Sequence, residues 1–204
     1  MLTAREALQR LWEGQARFRN GAARGWYTDA AQLRELAREQ KPWAIVVGCS
    51  DSRVAPEIVF DRSLGELFVV RVAGHLLDAT AWASIEFAVV QLGVRLIVVL
   101  GHSQCGAIAT ALREIGNPTA DLTPRLRRLV EHIRPVVAPL LQQPLSADDM
   151  LSQAMRIHVH RTVSMVRDHF RSLASVGCLA GEVPLVVGAA FDIATGCVTF
   201  FDDT

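Results

Sequence analysis

Residues 43–53 have the sequence WAIVVGCSDSR, a short apolar run that ends abruptly in polar residues. The run is continuous rather than alternating, which is typical of a strand buried on both faces of a parallel sheet. Further runs of this kind follow along the chain, and residues 80–93 and 107–115, which lie between them, have helical periodicity. The order strand, helix, strand predicts an α/β fold with right-handed crossovers. The further runs are LFVVRV (67–72), RLIVVLG (95–101) and PLVVGAAFD (184–192).

The segments outside these runs predict the periphery of the fold. Residues 3–6 have the spacing of a helix capping box, and a second short helix is predicted near Asp29. Residues 194–196 form a turn between two apolar strands, so the last strand is predicted to be an antiparallel edge. We therefore expect a mostly parallel central sheet with an antiparallel edge strand, flanked by helices and preceded by an N-terminal helical arm. The expected unit is a single domain (1–204) with a helical arm (1–40) and an α/β core (43–204).

Proline distribution predicts where helices end in the second half of the chain. Four prolines lie between residues 122 and 144. The first of them can occupy the first turn of a helix, but interior prolines kink or break a helix. We therefore predict that the interior prolines kink or break any helix in this stretch, and that a long helix runs from about Ser146 to about Leu173.

Composition excludes several classes of protein. Lys and Arg together number 21 and so do Asp and Glu, so the formal charge is zero and offers no electrostatic footprint for nucleic acid or an anionic membrane. Hydrophobic residues make up 50% of the chain, which indicates a globular protein with a sizeable core. No apolar run approaches the ~18–20 residues of a membrane helix, and the N-terminus lacks a signal pattern. The expected location is the cytoplasm, with four cysteines as reduced thiols or metal ligands.

Two predicted strand ends carry the polar residues that suggest chemistry. The segment CSDSR (49–53) follows the first run, and GHSQCG (101–106) follows the third. Ligands of open parallel sheets bind at the carboxyl ends of the strands. We therefore expect both motifs to face one crevice.

The donor atoms of these motifs suit a zinc ion. Cys49, His102 and Cys105 supply two thiolates and an imidazole, and three protein ligands leave a fourth tetrahedral position open, as in catalytic sites. Asp51 is a competing ligand, but Arg53 can hold its carboxylate in a bidentate pair away from the metal. Two alternatives remain open: buried cysteines that only pack in the core, and a non-catalytic structural zinc protein in which Asp51 fills the fourth position.

The combination of CSDSR with the later GHSQCG resembles the β-class carbonic anhydrases, whose signature is C-x-D-x-R followed by H-x-x-C. The resemblance implies a zinc enzyme that interconverts carbon dioxide and bicarbonate through zinc-bound hydroxide. It implies one Zn²⁺ per chain on Cys49, His102 and Cys105, with Asp51 and Arg53 as the catalytic dyad. It also implies a homodimer or homotetramer with active sites at the subunit interface. Hydrolases of carbonyl sulfide or carbon disulfide share this zinc site, so the substrate stays open.

The same resemblance implies a substrate pocket formed by four residues. It assigns a substrate-facing side-chain amide to Gln40, apolar walls to Phe68 and Phe87, and a backbone approach to the substrate at Gly106. From residue type alone, the two phenylalanines would be core residues. His75 stands where the family commonly has asparagine, so it either shuttles protons or replaces that asparagine in a turn.

Other histidines and cysteines are predicted to lie outside the site. His158 and His160 are two residues apart in a helix and so point in different directions, which predicts solvent or interface positions. Cys178 and Cys197 have no ligand partners nearby in the sequence. We expect both to be small core residues.

Overall fold

The apolar runs form adjacent strands of one sheet in a computed structural model that describes residues 2–24, 28–118, 122–179 and 181–201. The strands are β1 (Ala44–Gly48), β2 (Leu67–Arg71), β3 (Leu96–His102), β4 (Leu185–Asp192) and β5 (Cys197–Phe200). Their order in the sheet is β2-β1-β3-β4-β5; the first four strands are parallel, and β5 is antiparallel to β4. This arrangement confirms the predicted sheet and its antiparallel edge.

Helices cover both faces of this sheet. The helices are α1 (Ala4–Arg19), α2 (Ala30–Leu36), α3 (Pro56–Val59), α4 (Ala79–Val90), α5 (Gly106–Gly116), α6 (Pro124–Val137) and α7 (Ala147–Ser175), with short 3-10 helices at Ala73–His75 and Leu140–Gln142. Alternate residues of β1 and β3, such as Ile45 and Ile97, face the core beneath α4 to α7, whereas Val46 and Val98 face α1. This double burial explains why the strands are continuously apolar. Among the described residues, none of the helices combines the length and the apolar character that a membrane span requires.

Helix α6 continues through Pro135 and is not broken there, although the sequence predicts a kink or break at interior prolines. Pro124 lies in the first turn, where its missing N–H costs nothing, and Pro135 lies in the last turn. An interior proline costs about 3 kcal/mol, whereas each fully buried aliphatic side chain contributes about 1.5–3 kcal/mol. Burial of the apolar face therefore outweighs the proline. The buried residues of α6 are Val130, Ile133, Val136 and Val137.

Two glycines allow α7 to approach the sheet closely. A Cβ added to Gly101 on β3 would lie 2.6 Å from Val159, and one added to Gly188 on β4 would lie 2.9 Å from Val159. Only a residue without a side chain fits where a helix packs this closely on a strand. This contact brings the middle of α7 directly against the centre of the sheet.

Candidate metal centre

The carboxyl ends of β1 and β3 are adjacent, and they bring the two motifs together. Gly48 lies opposite Leu100 in the parallel register, so Cys49 and His102 emerge at the same end of the sheet. The turn to Cys105 passes through Gln104, whose φ of 54° is in the left-handed region. Cys49, His102 and Cys105 are buried, and one donor atom from each lies within 4.8 Å of the others.

The imidazole of His102 is arranged to donate a lone pair into this cluster. Its Nδ1 lies 2.9 Å from the carbonyl oxygen of Ser103, an acceptor, so Nδ1 carries the proton. Nε2 is buried and has no hydrogen-bond partner among the described residues. A buried polar atom without a partner is costly, and a metal ion would supply the missing partner. Together with two sulfur donors, this nitrogen matches the ligand chemistry of zinc.

The two thiols of the cluster share one proton. Hydrogen bonding to Cys105, with a further contribution from His102, lowers the pKa of Cys49 to about 4. The same hydrogen bond, together with burial, raises the pKa of Cys105. Burial lowers the pKa of His102, but the neighbouring Cys49 sulfur, the Ser103 carbonyl and the Asp51 carboxylate outweigh burial and raise it. The site therefore already stabilises one thiolate, the form that binds metals.

Asp51 and Arg53 form the predicted pair at the mouth of the cluster. The Arg53 Nε donates to Asp51 Oδ1 at 2.9 Å, and Nη2 donates to Oδ2 at 2.7 Å. The Arg53 backbone N–H also donates to Oδ1, at 3.0 Å. Hydrogen bonding from Arg53 lowers the pKa of Asp51 and keeps it a carboxylate. The free side of Oδ2 lies 4.0 Å from His102 Nε2, so the carboxylate borders the ligand cluster.

Arg71, the last residue of β2, and Gly74, in the turn after it, support the loop that carries Cys49 and Asp51, and the sequence analysis assigned no role to either. Arg71 donates through Nε to the carbonyl of Cys49 at 3.0 Å and through Nη2 to the carbonyl of Asp51 at 2.6 Å. The Gly74 N–H donates to Cys49 Sγ at 3.3 Å. The signal that could have indicated Arg71 from the sequence is a basic residue at the end of a third predicted parallel strand.

The four predicted pocket residues do not all gather at this cluster. Gly106 is the first residue of α5 and follows Cys105 directly, with open space where a Cβ would lie. Gln40 instead lines a cavity with Trp43 and Arg95, at the opposite, amino-terminal ends of β1 and β3. Within one chain it does not join the ligand cluster.

Phe68 and Phe87 pair with each other beside β2. Their ring centroids are 6.2 Å apart, and Phe87 is 46% exposed. Phe68 lies opposite Ile45, at the start of β1, whereas Cys49 follows its end. The pair therefore flanks the open edge of the sheet.

Three predictions about other residues need correction or are decided by the structure. His158 is buried on α7, not exposed, because this helix packs so closely on β3 and β4. His75 is buried in the turn after β2, which supports the turn role over a proton shuttle that reaches solvent. Cys178 is exposed because it lies after the end of α7, and Cys197 is only partly buried because it is the first residue of the edge strand β5.

Comparison with known proteins connects this geometry to a family. The family model described as "Carbonic anhydrase" matches residues 44–198. A protein named carbonic anhydrase 2 from Mycobacterium tuberculosis is 40% identical over 190 residues, which cover 93% of this chain and 89% of that protein. A carbonic anhydrase from Mycolicibacterium smegmatis is 38% identical over 192 residues, covering 94% and 90% of the two chains.

Solved structures share the fold as well. The β-carbonic anhydrase CcaA is 26% identical with a TM-score of 0.72, and the match covers 97% of this chain and 88% of that one. The β-carbonic anhydrase of Coccomyxa, solved with acetazolamide, is 26% identical with a TM-score of 0.71, covering 94% and 85%. Because both motifs lie within the matched region and the relatives span nearly the whole chain, this chain is an enzyme of the β-carbonic anhydrase family.

Proposed function

We propose that this enzyme catalyses the reversible hydration of carbon dioxide to bicarbonate and a proton, with one Zn²⁺ per chain. The observation that carries the proposal is the buried convergence of two sulfurs and one unpaired imidazole nitrogen beside a carboxylate held by a guanidinium. Names of the relatives point to the same reaction. Cys49, His102 and Cys105 would hold the metal.

Zinc bound to these residues would supply a Lewis acid that activates water near neutral pH. Asp51 accepts a hydrogen bond from the attacking water and orients it, because Arg53 occupies the other sides of the carboxylate. Arg53 also donates to the carbonyl of Gln104 at 3.2 Å, which ties the dyad to the turn between His102 and Cys105. This hydrogen bond fixes Asp51 and Arg53 relative to the metal-binding residues, so that Asp51 would hold the reacting water beside them.

Helix α5 favours the charge that develops during hydration. It begins at Gly106, and its N-terminal end carries a partial positive charge that stabilises anions. Gly106 has no side chain, which leaves room for the oxygens of bicarbonate to approach the backbone. We assign it to substrate binding on these grounds.

The same site could serve a structural metal only if Asp51 completed the ligand set. The bidentate pair with Arg53 opposes that role, because both carboxylate oxygens already accept hydrogen bonds from the guanidinium. Hydrolysis of carbonyl sulfide or carbon disulfide uses the same ligands. No contact in the described residues favours those substrates, so carbon dioxide remains the proposed one.

We also propose that the chain assembles as a homodimer or homotetramer. Strand β2 is an open edge of the sheet, and Phe87 (46% exposed) and Val90 (44% exposed) leave an apolar surface beside it. Gln40 lies at the opposite end of the sheet from Cys49, so it can meet substrate only in the site of a second copy. Phe68 and Phe87 would line a pocket completed by that copy. Light scattering should detect the oligomer, and Phe87→Glu should shift it toward monomer; a monomeric wild type would refute the assembly.

Two further expectations accompany this assignment. Residues 1–204 are proposed to form one domain, with the segment 1–40 leading into the core 43–204. A reducing compartment such as the cytoplasm would keep the cluster thiols available as ligands, and all four cysteines are free thiols in the structure.

The direct test is stopped-flow measurement of carbon dioxide hydration by the zinc-loaded protein. Carbonyl sulfide hydrolysis should be measured on the same sample, and Cys49→Ser provides a control that lacks one ligand. We expect rapid hydration by the wild type and loss of it in the control. Zinc-loaded protein that hydrates carbon dioxide no faster than buffer, or that prefers carbonyl sulfide, would refute the proposal.

A further inference from the structure

Two buried imidazoles lie beneath the metal centre without belonging to it. His75 and His158 stack with their ring centroids 4.3 Å apart, and their relative exposures are 1% and 3%. His158 comes from α7, 84 residues away from the turn it touches. Burying an imidazole costs free energy unless its nitrogens find partners. The position of His158 therefore calls for a role beyond filling space.

The turn beneath His158 adopts a conformation that is unfavourable by itself. Gly74 has a φ of 63° and His75 a φ of 45°, so two consecutive residues occupy the left-handed region. A residue with a Cβ adopts that conformation only at a cost in free energy. Such a turn persists when surrounding contacts hold it. One of these contacts is the His75 N–H bond to the carbonyl of Val72 at 2.8 Å.

His158 supplies another of these contacts, from the opposite side. Its Nε2 lies 2.9 Å from the carbonyl oxygen of Gly74. A carbonyl only accepts, so Nε2 carries the proton and donates. Burial also lowers the pKa of His158 to about 4, so the ring is neutral near pH 7 and this tautomer is retained.

Gly74 connects this hydrogen bond to the metal centre. Its N–H donates to Cys49 Sγ at 3.3 Å, while its carbonyl accepts from His158. A Cβ on Gly74 would lie 3.1 Å from the Cβ of Ala107 in the first turn of α5, so the residue is confined on that side too. The chain of contacts therefore runs from His158 through Gly74 to the sulfur of Cys49.

We propose that His158 is a positioning residue of the metal centre: through the carbonyl of Gly74 it holds the Gly74 N–H on Cys49 Sγ and so sets how strongly that sulfur donates to zinc. The proposal rests on the proposed function, in which Cys49 is a zinc ligand. Hydrogen bonds to ligand atoms tune metal sites, and their removal typically costs about 10–100-fold in metal affinity or activity. Loss of the His158 donor should produce an effect in that range.

Three substitutions separate hydrogen bonding from packing. His158→Gln places an amide donor near the position of Nε2, whereas His158→Asn is polar but too short to reach Gly74. His158→Leu removes the donor and keeps an apolar volume. His169→Leu is the matched control, because His169 also lies on α7 and hydrogen-bonds a residue of another helix, Glu86, at 2.8 Å.

The readouts are zinc affinity, measured by competition with a chelator, and the sulfur-to-metal charge-transfer band of the Co²⁺-substituted protein. We expect His158→Asn and His158→Leu to weaken zinc binding about 10–100-fold and to shift the band. His158→Gln and His169→Leu should stay within about threefold of wild type with an unshifted band. If His158→Leu does not fold, comparison of zinc affinity and of the charge-transfer band between His158→Gln and His158→Asn still tests the role of the hydrogen bond.

Two results would overturn this role. Wild-type affinity and an unshifted band in the Asn variant would show that the hydrogen bond does not reach the sulfur. A Gln variant as impaired as the Asn variant would show that ring packing, not the donor, matters. The failure of the proposed function looks different: wild-type protein loaded with Co²⁺ would then lack thiolate bands altogether.

Discussion

Replacing Arg53 with alanine tests the dyad by removing the hydrogen bonds between the guanidinium and the Asp51 carboxylate. The guanidinium donates two of the three hydrogen bonds to the Asp51 carboxylate that hold it in place, at 2.9 and 2.7 Å. The third comes from the Arg53 backbone N–H to Oδ1, and it survives the substitution. Arg53→Ala therefore leaves Oδ1 anchored and releases Oδ2.

The released oxygen lies next to the ligand cluster. Asp51 Oδ2 is 4.0 Å from His102 Nε2, and a carboxylate binds zinc at about 2.0–2.2 Å, so a small rotation about the anchored Oδ1 brings it toward the ligand position. Asp51 would then compete with water for the metal. We expect hydration activity to fall about 100-fold, the upper end for residues that orient metal ligands. Zinc affinity should be unchanged or higher, because all three ligands remain.

Stopped-flow hydration, zinc content and X-ray absorption of the zinc measure these effects separately. Arg53→Lys should also lose activity, since an ammonium cannot make the bidentate pair. The matched control is Arg134→Ala, which breaks a similar bidentate pair with Glu131 (2.6 and 2.8 Å) outside the site. Activity within about threefold of wild type in a zinc-loaded Arg53→Ala protein would refute the reasoning.

Three further predictions concern the metal, its supporting loop and the buried histidine. Cys105→Ser should lower zinc affinity by about two to three powers of ten, because a four-ligand site binds zinc with about 10–16 kcal/mol and one ligand contributes about a quarter of that free energy. Full zinc content of this variant under chelator competition would exclude Cys105 as a ligand. Arg71→Leu should reduce activity about tenfold, because the carbonyls of Cys49 and Asp51 lose their donors, and equal rates for the two proteins in stopped-flow would contradict this. For His158, the folded-state pKa of about 4 lies below the ordinary histidine pKa of about 6.5, so the unfolded state takes up the proton first as pH falls. Stability should thus decrease from about pH 6.5 toward pH 4, by about 2 kcal/mol at pH 5. His158→Gln should flatten this decrease in urea unfolding, and identical pH slopes for both proteins would contradict the buried neutral histidine.

Local patterns in the sequence determined the parallel sheet and the candidate metal-ligand cluster. Strands buried on both faces consist of continuous apolar residues, so β1 and β3 were recognisable from their uninterrupted apolar runs. Residues 102 and 105 are separated by a single turn, and Asp51 and Arg53 are two residues apart, so their geometry is largely local. Adjacent parallel strands then bring both motifs to the same end of the sheet.

The tertiary structure alone decided which distant residues support or leave the site. Gln40 lies before β1 and Cys49 directly follows β1, so the length of that strand separates the two residues within one chain. His158 gave no local signal, because helical spacing cannot tell which part of α7 is buried. Its burial follows from the approach of α7 to Gly101 and Gly188, and its hydrogen bond to Gly74 spans 84 residues of sequence. Such contacts depend on how helices dock on the sheet, and docking is set by packing across the whole core rather than by neighbouring residues.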